Sequence, residues 1–214
     1  ALAIANMLSD LGITVNCAPL ADVPIEGAHD IIGDRAFGKN PQQVIALARA
    51  QAQGLIDGGI VPILKHIPGH GRAFADSHHE LPVVETDLET LRSTDFVTFK
   101  ALADLPMAMT AHVLYTAIDP TKMATVSPLA ISLIRSELGF DGLLMSDDLS
   151  MKAMQGDFTQ RTQEVLAAGC DVVLHCNGDM AEMQAIAQGL VPLAGKSLER
   201  AIKAMVISAK SDIL

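Results

Sequence analysis

Between Lys65 and Pro82 the sequence reads KHIPGHGRAFADSHHELP, which gathers four of the seven histidines with Lys65 and Asp76 in one short stretch. Asp76 and His78 stand two apart. A carboxylate at that spacing can hold one imidazole nitrogen, fix the tautomer and raise the basicity of the other nitrogen, as proton transfer near neutral pH requires. His79 reads as a surface neighbour, and His70, between Gly69 and Gly71, as a turn former. Lys65 and His66 close the apolar run Ile60–Leu64. Charge at the end of a buried strand needs a partner, and a polar ligand such as a sugar hydroxyl supplies one. The other reactive pair is Asp147-Asp148, directly after Gly142-Leu143-Leu144-Met145-Ser146. One carboxylate of such a pair commonly caps the following turn; the other, held rigidly at a strand end, can face a cleft, and Asp147 is favoured for that place.

These residues need elements that bring them together. Apolar runs suited to strands lie at 13–19, 60–64, 107–113, 142–146 and 171–176, each followed by a helical pattern. Asn40-Pro41 and Ser127-Pro128 give an N-cap with proline in the first turn, and Thr86-x-x-Glu89 reads as a capping box. Leu47 and Leu129 are expected on the inward helix faces, and the segment near 160–168 reads as a further helix. Five strand-then-helix units with strands apolar on both sides predict a parallel sheet covered by helices. The polar residues Asn16, Lys65, His66, His112, Asp147, Asp148 and His175 collect at the carboxyl ends of the strands, the active rim of a (β/α)₈ barrel. Five units do not close eight strands, so either three units are missing or the sheet is open, and missing units are the simpler explanation. The expectation is therefore a single, partial TIM-type barrel domain over 1–214, with amino-terminal units missing and strands 13–19 and 171–176 as two unpaired edges. The segment 67–82 reads as a long loop of lid type.

Composition narrows the partners. Twenty-five acidic against fifteen basic residues, one Tyr and no Trp disfavour nucleic acid. No apolar run reaches the roughly 20 residues of a membrane span. Cys17, Cys170 and Cys176 are odd in number and set among apolar residues, as reduced thiols of a cytoplasmic protein would be. No strand is followed by a dinucleotide or Walker pattern, so no organic cofactor is expected.

KHIPGHG, ADSHHELP, MTAHV and LIRSELGFDGLLMSDDLSM, in this order, resemble glycoside hydrolase family 3, and within it the bacterial β-N-acetylglucosaminidases of peptidoglycan recycling. The resemblance implies a retaining hydrolase that removes terminal β-N-acetylglucosamine from muropeptides without metal or cofactor. It implies Asp147 as nucleophile, His78 polarised by Asp76 as acid and base, and Arg35, Lys65 and His66 as sugar-binding residues. The family's Asp-x-Glu-Gly-Gly segment has no counterpart here. Two other readings of the same residues are a metal-dependent barrel hydrolase built on His66, His112, Asp147 and His175, and a non-catalytic sugar-binding fragment.

Overall fold

The apolar runs form the strands, and the capped patterns form the helices between them. In the computed structural model, which describes residues 1–209, the chain order is α1 (Leu2–Asp10), β1 (Val15–Asn16), α2 (Pro41–Asp57), β2 (Val61–Ile67), β3 (Val83–Val84), α3 (Leu88–Ser93), α4 (Asp95–Ala101), β4 (Met107–Thr110), β5 (Leu114–Tyr115), α5 (Pro128–Ser136), β6 (Leu143–Asp148), α6 (Phe158–Ala168), β7 (Val172–Leu174), α7 (Met180–Gly189) and α8 (Gly195–Ala209). Strands β1, β2, β4, β6 and β7 pair side by side in that order, all parallel, in a curled sheet shaped like half a barrel. β1 and β7 are its two edges and do not pair with each other.

Side chains alternate across the sheet with period two. Leu64, Ile67, Ala108 and Leu144 share one hydrophobic cluster with Val44, Phe99, Ile134 and Val165 of the surrounding helices. Val61, Ile63, Met107, Met109, Leu143 and Met145 form the other face, where Ala201, Ala204 and Ile207 of α8 pack. Both faces are thus buried, which is why the strands read as unbroken apolar runs. Asp171, at the entry to β7, fastens this arrangement. Its carboxylate accepts hydrogen bonds from Arg135 of α5, Ser197 and Arg200 of α8, and the Leu144 N–H of β6.

Several local expectations need correction. The capping box at Thr86 is not used: Asp87 caps α3 by accepting from the Thr90 N–H at 2.9 Å. The helix expected to run on from there breaks at Thr94, where the side chain turns back onto the Thr90 carbonyl and Asp95 pairs with Arg72 of the preceding loop. α6 begins at Phe158, because Asp157 supplies its cap. Leu47 and Leu129 are exposed, since the buried stripes are Val44, Ala48, Ala52 and Leu55 on α2 and Ala130, Ile131 and Ile134 on α5. On α1 only Ala5 is buried; it lies against Gly58, where a Cβ would come within 2.4 Å of the Ala5 Cβ. The strand read over 13–19 is reduced to two residues, and the short pair β3 and β5 was not expected.

Candidate active site

Asp147 takes its place from the alternation along β6. Leu143 and Met145 belong to the α8 face, so the next residue on that side is Asp147, where the strand leaves the core. The side chain is buried, and its Oδ1 accepts the Asp148 N–H at 2.8 Å. Asp148 has the other task. Its carboxylate accepts from the Ser150 N–H and Oγ–H and from the Cys176 N–H, closing the turn after β6 and tying it to the end of β7. Asp148 thus serves the turn, and both carboxylates line the same pocket.

Lys65 and His66 lie within β2 rather than beyond its end, because the strand continues to Ile67 with a register shift between Lys65 and Ile67 against β4. Lys65 follows Val61 and Ile63 on the α8 face, as Asp147 follows Leu143 and Met145. His66 is held from behind by Asp22, which is fully buried in the segment after β1. Asp22 Oδ2 lies 2.7 Å from His66 Nδ1, and Oδ1 accepts the His70 N–H at 2.6 Å. Burial pushes the Asp22 carboxyl up, but the His66 imidazole and the His70 ring and N–H together outweigh it and the net shift is downward. The turn is pressed so closely onto this segment that a Cβ on Gly71 would fall 2.0 Å from the Val23 carbonyl oxygen.

The segment 67–82 is fastened at many points. Ile25 and His29 N–H groups donate to the Gly71 and Ala73 carbonyls, Tyr115 OH donates to the Gly69 carbonyl, and the Ala153 N–H donates to the Ser77 carbonyl. Asp76 and His78 project from this frame, with Nδ1 of His78 2.8 Å from Asp76 Oδ1 and the imidazole half exposed. Burial raises the Asp76 carboxyl, but the His78 backbone N–H and ring more than offset this, so it is held below the ordinary carboxylate range. His79 is exposed, 3.8 Å from Asp76. Arg35 sits on a one-turn 3₁₀ helix at Gly33–Arg35, its guanidinium donating to the Ile31 carbonyl.

A pocket of about 270 Å³ joins these parts: Asp147, Lys65, His66, His78 and Arg35 all line it, and Asp76 stands behind His78. His112 and His175 do not line it. His112 is fully buried, with Nδ1 on Thr125 Oγ1 and Nε2 on the Asp148 carbonyl, and burial lowers its pKa. His175 faces Glu182 at 3.2 Å and Asp148 at 3.8 Å, with its ring against Phe158. The set His66, His112, Asp147 and His175 therefore does not converge on a metal: both His112 nitrogens are committed to the fold, and His66 Nδ1 to Asp22.

Residues 1–206 match the sequence model of the family described as the glycosyl hydrolase family 3 N terminal domain. The chain belongs to glycosyl hydrolase family 3. A beta-hexosaminidase of Chromobacterium violaceum is 38% identical over 213 residues, which cover 98% of this chain and 59% of that protein. A family 3 beta-N-acetylglucosaminidase structure from Paenibacillus sp. str. FPU-7 superposes with a TM-score of 0.87 at 29% identity, over 98% of this chain and 43% of that one. NagZ from Neisseria gonorrhoeae, in complex with N-trifluoroacetyl-D-glucosamine, gives 0.84 at 31% identity, over 97% and 62%. The chain thus spans 59% or less of the length of the first curated relatives it matches.

Sequence reasoning missed Asp22, Cys17, Met109 and Cys176 as parts of this site. Asp22 lies in a stretch without periodic pattern, and its partners are 44 and 48 residues away, so no local signal marks it. Cys17 and Cys176 were read only as reduced thiols among apolar residues, yet each follows an edge strand at the carboxyl end, lines the pocket and is exposed.

Proposed function

We propose that this chain is the catalytic part of a retaining β-N-acetylglucosaminidase, in which Asp147 is the nucleophile and His78, held by Asp76, is the acid and base. The observation that carries the reading is the single pocket that sets the Asp147 carboxylate, the His78 imidazole and three cationic or polar side chains, Arg35, Lys65 and His66, around one space. A retaining glycosidase needs a nucleophile at the anomeric carbon and a proton donor at the leaving oxygen. An ionised Asp76 only accepts hydrogen bonds, so the His78 Nδ1 carries the proton between them and Nε2 is left to exchange a proton with the glycosidic oxygen and then with water. Asp147 forms the glycosyl ester, and the water activated at His78 opens it with retained configuration. Arg35, Lys65 and His66 bind sugar hydroxyls. The relatives named as hexosaminidases, and the NagZ bound to an N-acylglucosamine, support N-acetylglucosamine as the glycone.

The substrate we favour is a peptidoglycan-derived muropeptide, with the sugar removed from its non-reducing end in the cytoplasm. Three free thiols accord with a reducing compartment, and no helix among the described residues is long and apolar enough to cross a membrane. Completion of the half-barrel as one (β/α)₈-type domain would require further strands against the edges of β1 and β7 and the displacement of α8 from the inner face of the sheet. The test is hydrolysis of a chromogenic β-N-acetylglucosaminide by the full-length protein, with the product anomer read by NMR. Release of the β-anomer is expected. Sugar binding without turnover would instead establish the binding-fragment reading, and release of the α-anomer would exclude the covalent mechanism.

A further inference from the structure

We propose that Asp22 is a positioning residue for the glycone, acting through His66; this rests on the glycosidase reading and adds to it the group that presents one sugar contact. The carboxylate takes the His66 backbone N–H at 3.3 Å, the His66 Nδ1 at 2.7 Å and the His70 N–H at 2.6 Å. It therefore grips the chain on both sides of Ile67-Pro68 and the ring that enters the pocket. Among the described residues no lysine or arginine forms an ion pair with it. Taking a carboxylate out of water costs several kcal/mol, which the hydrogen bonds from the His66 and His70 N–H groups and the His66 ring offset here. What the carboxylate does that an apolar group cannot is dictate a tautomer. An ionised carboxylate only accepts, so the proton between the two residues sits on His66 Nδ1, and Nε2 is the nitrogen left to address the ligand.

The pocket then carries two Asp-His pairs of opposite character. In Asp76-His78 the imidazole is half exposed on a loop, where protons can be exchanged. In Asp22-His66 both side chains are almost wholly buried, and the turn behind them is braced by Tyr115 OH on the Gly69 carbonyl and by the edge of the His70 ring, centred 5.6 Å from that of His66. The first pair moves protons, and the second holds one hydrogen-bonding atom still.

The test is a double-mutant cycle on the full-length protein with Asp22→Asn, His66→Gln and both together, reading kcat and KM on a chromogenic β-N-acetylglucosaminide and Kd for N-acetylglucosamine by calorimetry. Loss of one charge-assisted hydrogen bond predicts KM and Kd raised roughly tenfold to a hundredfold in Asp22→Asn, with kcat within about threefold of the parent. The double variant is expected to bind no more weakly than His66→Gln alone. Parent-like KM and Kd in Asp22→Asn, or losses that multiply in the double variant, would overturn the proposal. Imidazole ¹⁵N NMR of the parent provides a reading that needs no variant to fold: His66 Nδ1 is expected to carry a proton, and its Nε2 resonance to move on addition of the sugar. An unprotonated Nδ1 refutes the assignment. A parent that neither binds the sugar nor turns over substrate overturns the glycosidase reading itself, whereas an active parent with an indifferent Asp22→Asn overturns only this one.

Discussion

Replacing His78 by alanine removes the proposed acid and base and little else. Its side chain is 52% exposed and its polar contacts are all to Asp76, so the fold should change by no more than about 0.5 kcal/mol. A positioned acid or base contributes about 10²- to 10⁴-fold, which at 1.36 kcal/mol per tenfold is roughly 3 to 5.5 kcal/mol of barrier. The size of the loss depends on the leaving group. An alkyl or sugar alkoxide must be protonated as it departs, and on such substrates the full factor is expected. A nitrophenolate departs without help, so glycosylation of the enzyme by that substrate is slowed far less. The water step still lacks its base, and added azide, which needs none, should accelerate turnover of the activated substrate and leave a β-glycosyl azide. The assay is kcat/KM across a series of aryl β-N-acetylglucosaminides plotted against leaving-group pKa, together with kcat on the activated substrate with and without azide. A slope unchanged from the parent, with losses equal across the series and no azide product, would refute the acid-base role. Asp76→Asn should lie between variant and parent, about tenfold to a hundredfold down, because the imidazole remains but its tautomer is no longer imposed.

Asp147→Asn should abolish nearly all turnover with a melting temperature close to the parent's; hydrolysis within a few-fold of the parent rejects it as nucleophile. Gly71→Ala places a methyl 2.0 Å from the Val23 carbonyl, and as neither backbone can yield cheaply, a loss of about 3 kcal/mol is expected in chemical denaturation. Asp171→Ala leaves Arg135 and Arg200 without their shared buried carboxylate and should cost about 3 to 5 kcal/mol, read in the same way. Burial raises the Asp119 carboxyl, but hydrogen bonds from Ser127, Thr121 and Lys122 prevail and hold it below its ordinary value. Its stabilisation is therefore complete above the unfolded pKa near ~3.9 and lost as pH falls through the folded value. Asp119→Asn should accordingly be less stable than the parent at pH 7, with a gap that closes on acidification below about pH 4; a gap of constant size contradicts the assignment.

The sheet was legible because burial on both faces leaves runs such as Val61-Pro62-Ile63-Leu64 with no polar interruption, and the helices because Asn40, Ser127 and their following prolines punctuate them. The pocket-lining Lys65, His66 and Asp147 were legible as polar residues that follow an apolar run, although the strands continue past them. The two-residue strands β3 and β5 are too short to carry a period, and the break between α3 and α4 is set by Arg72, a residue in another segment. Asp22 shows the same limit at the site itself. A carboxylate that acts through a ring 44 positions away has no sequence neighbour to betray it. The expected lid was half right: the segment is long, but its spacing could not show that Gly71, Ala73 and Ser77 are each fastened to other parts of the chain.

Ser77 stands between Asp76 and His78, and it is also the residue that reaches the segment after β6, through its carbonyl to the Ala153 N–H and its hydroxyl to Met151 Sδ. The loop that carries the proposed acid-base pair and the loop that follows the proposed nucleophile are thus tied to each other through Ser77. Loop length usually drifts at little thermodynamic cost. Here a chimaera that exchanges residues 67–82 for a relative's loop while keeping 149–156 loses the seat of Ser77, and His78 with it. Exchanging both segments together is expected to keep the seat, so the two regions, some seventy residues apart in the chain, act as one unit in any transplant.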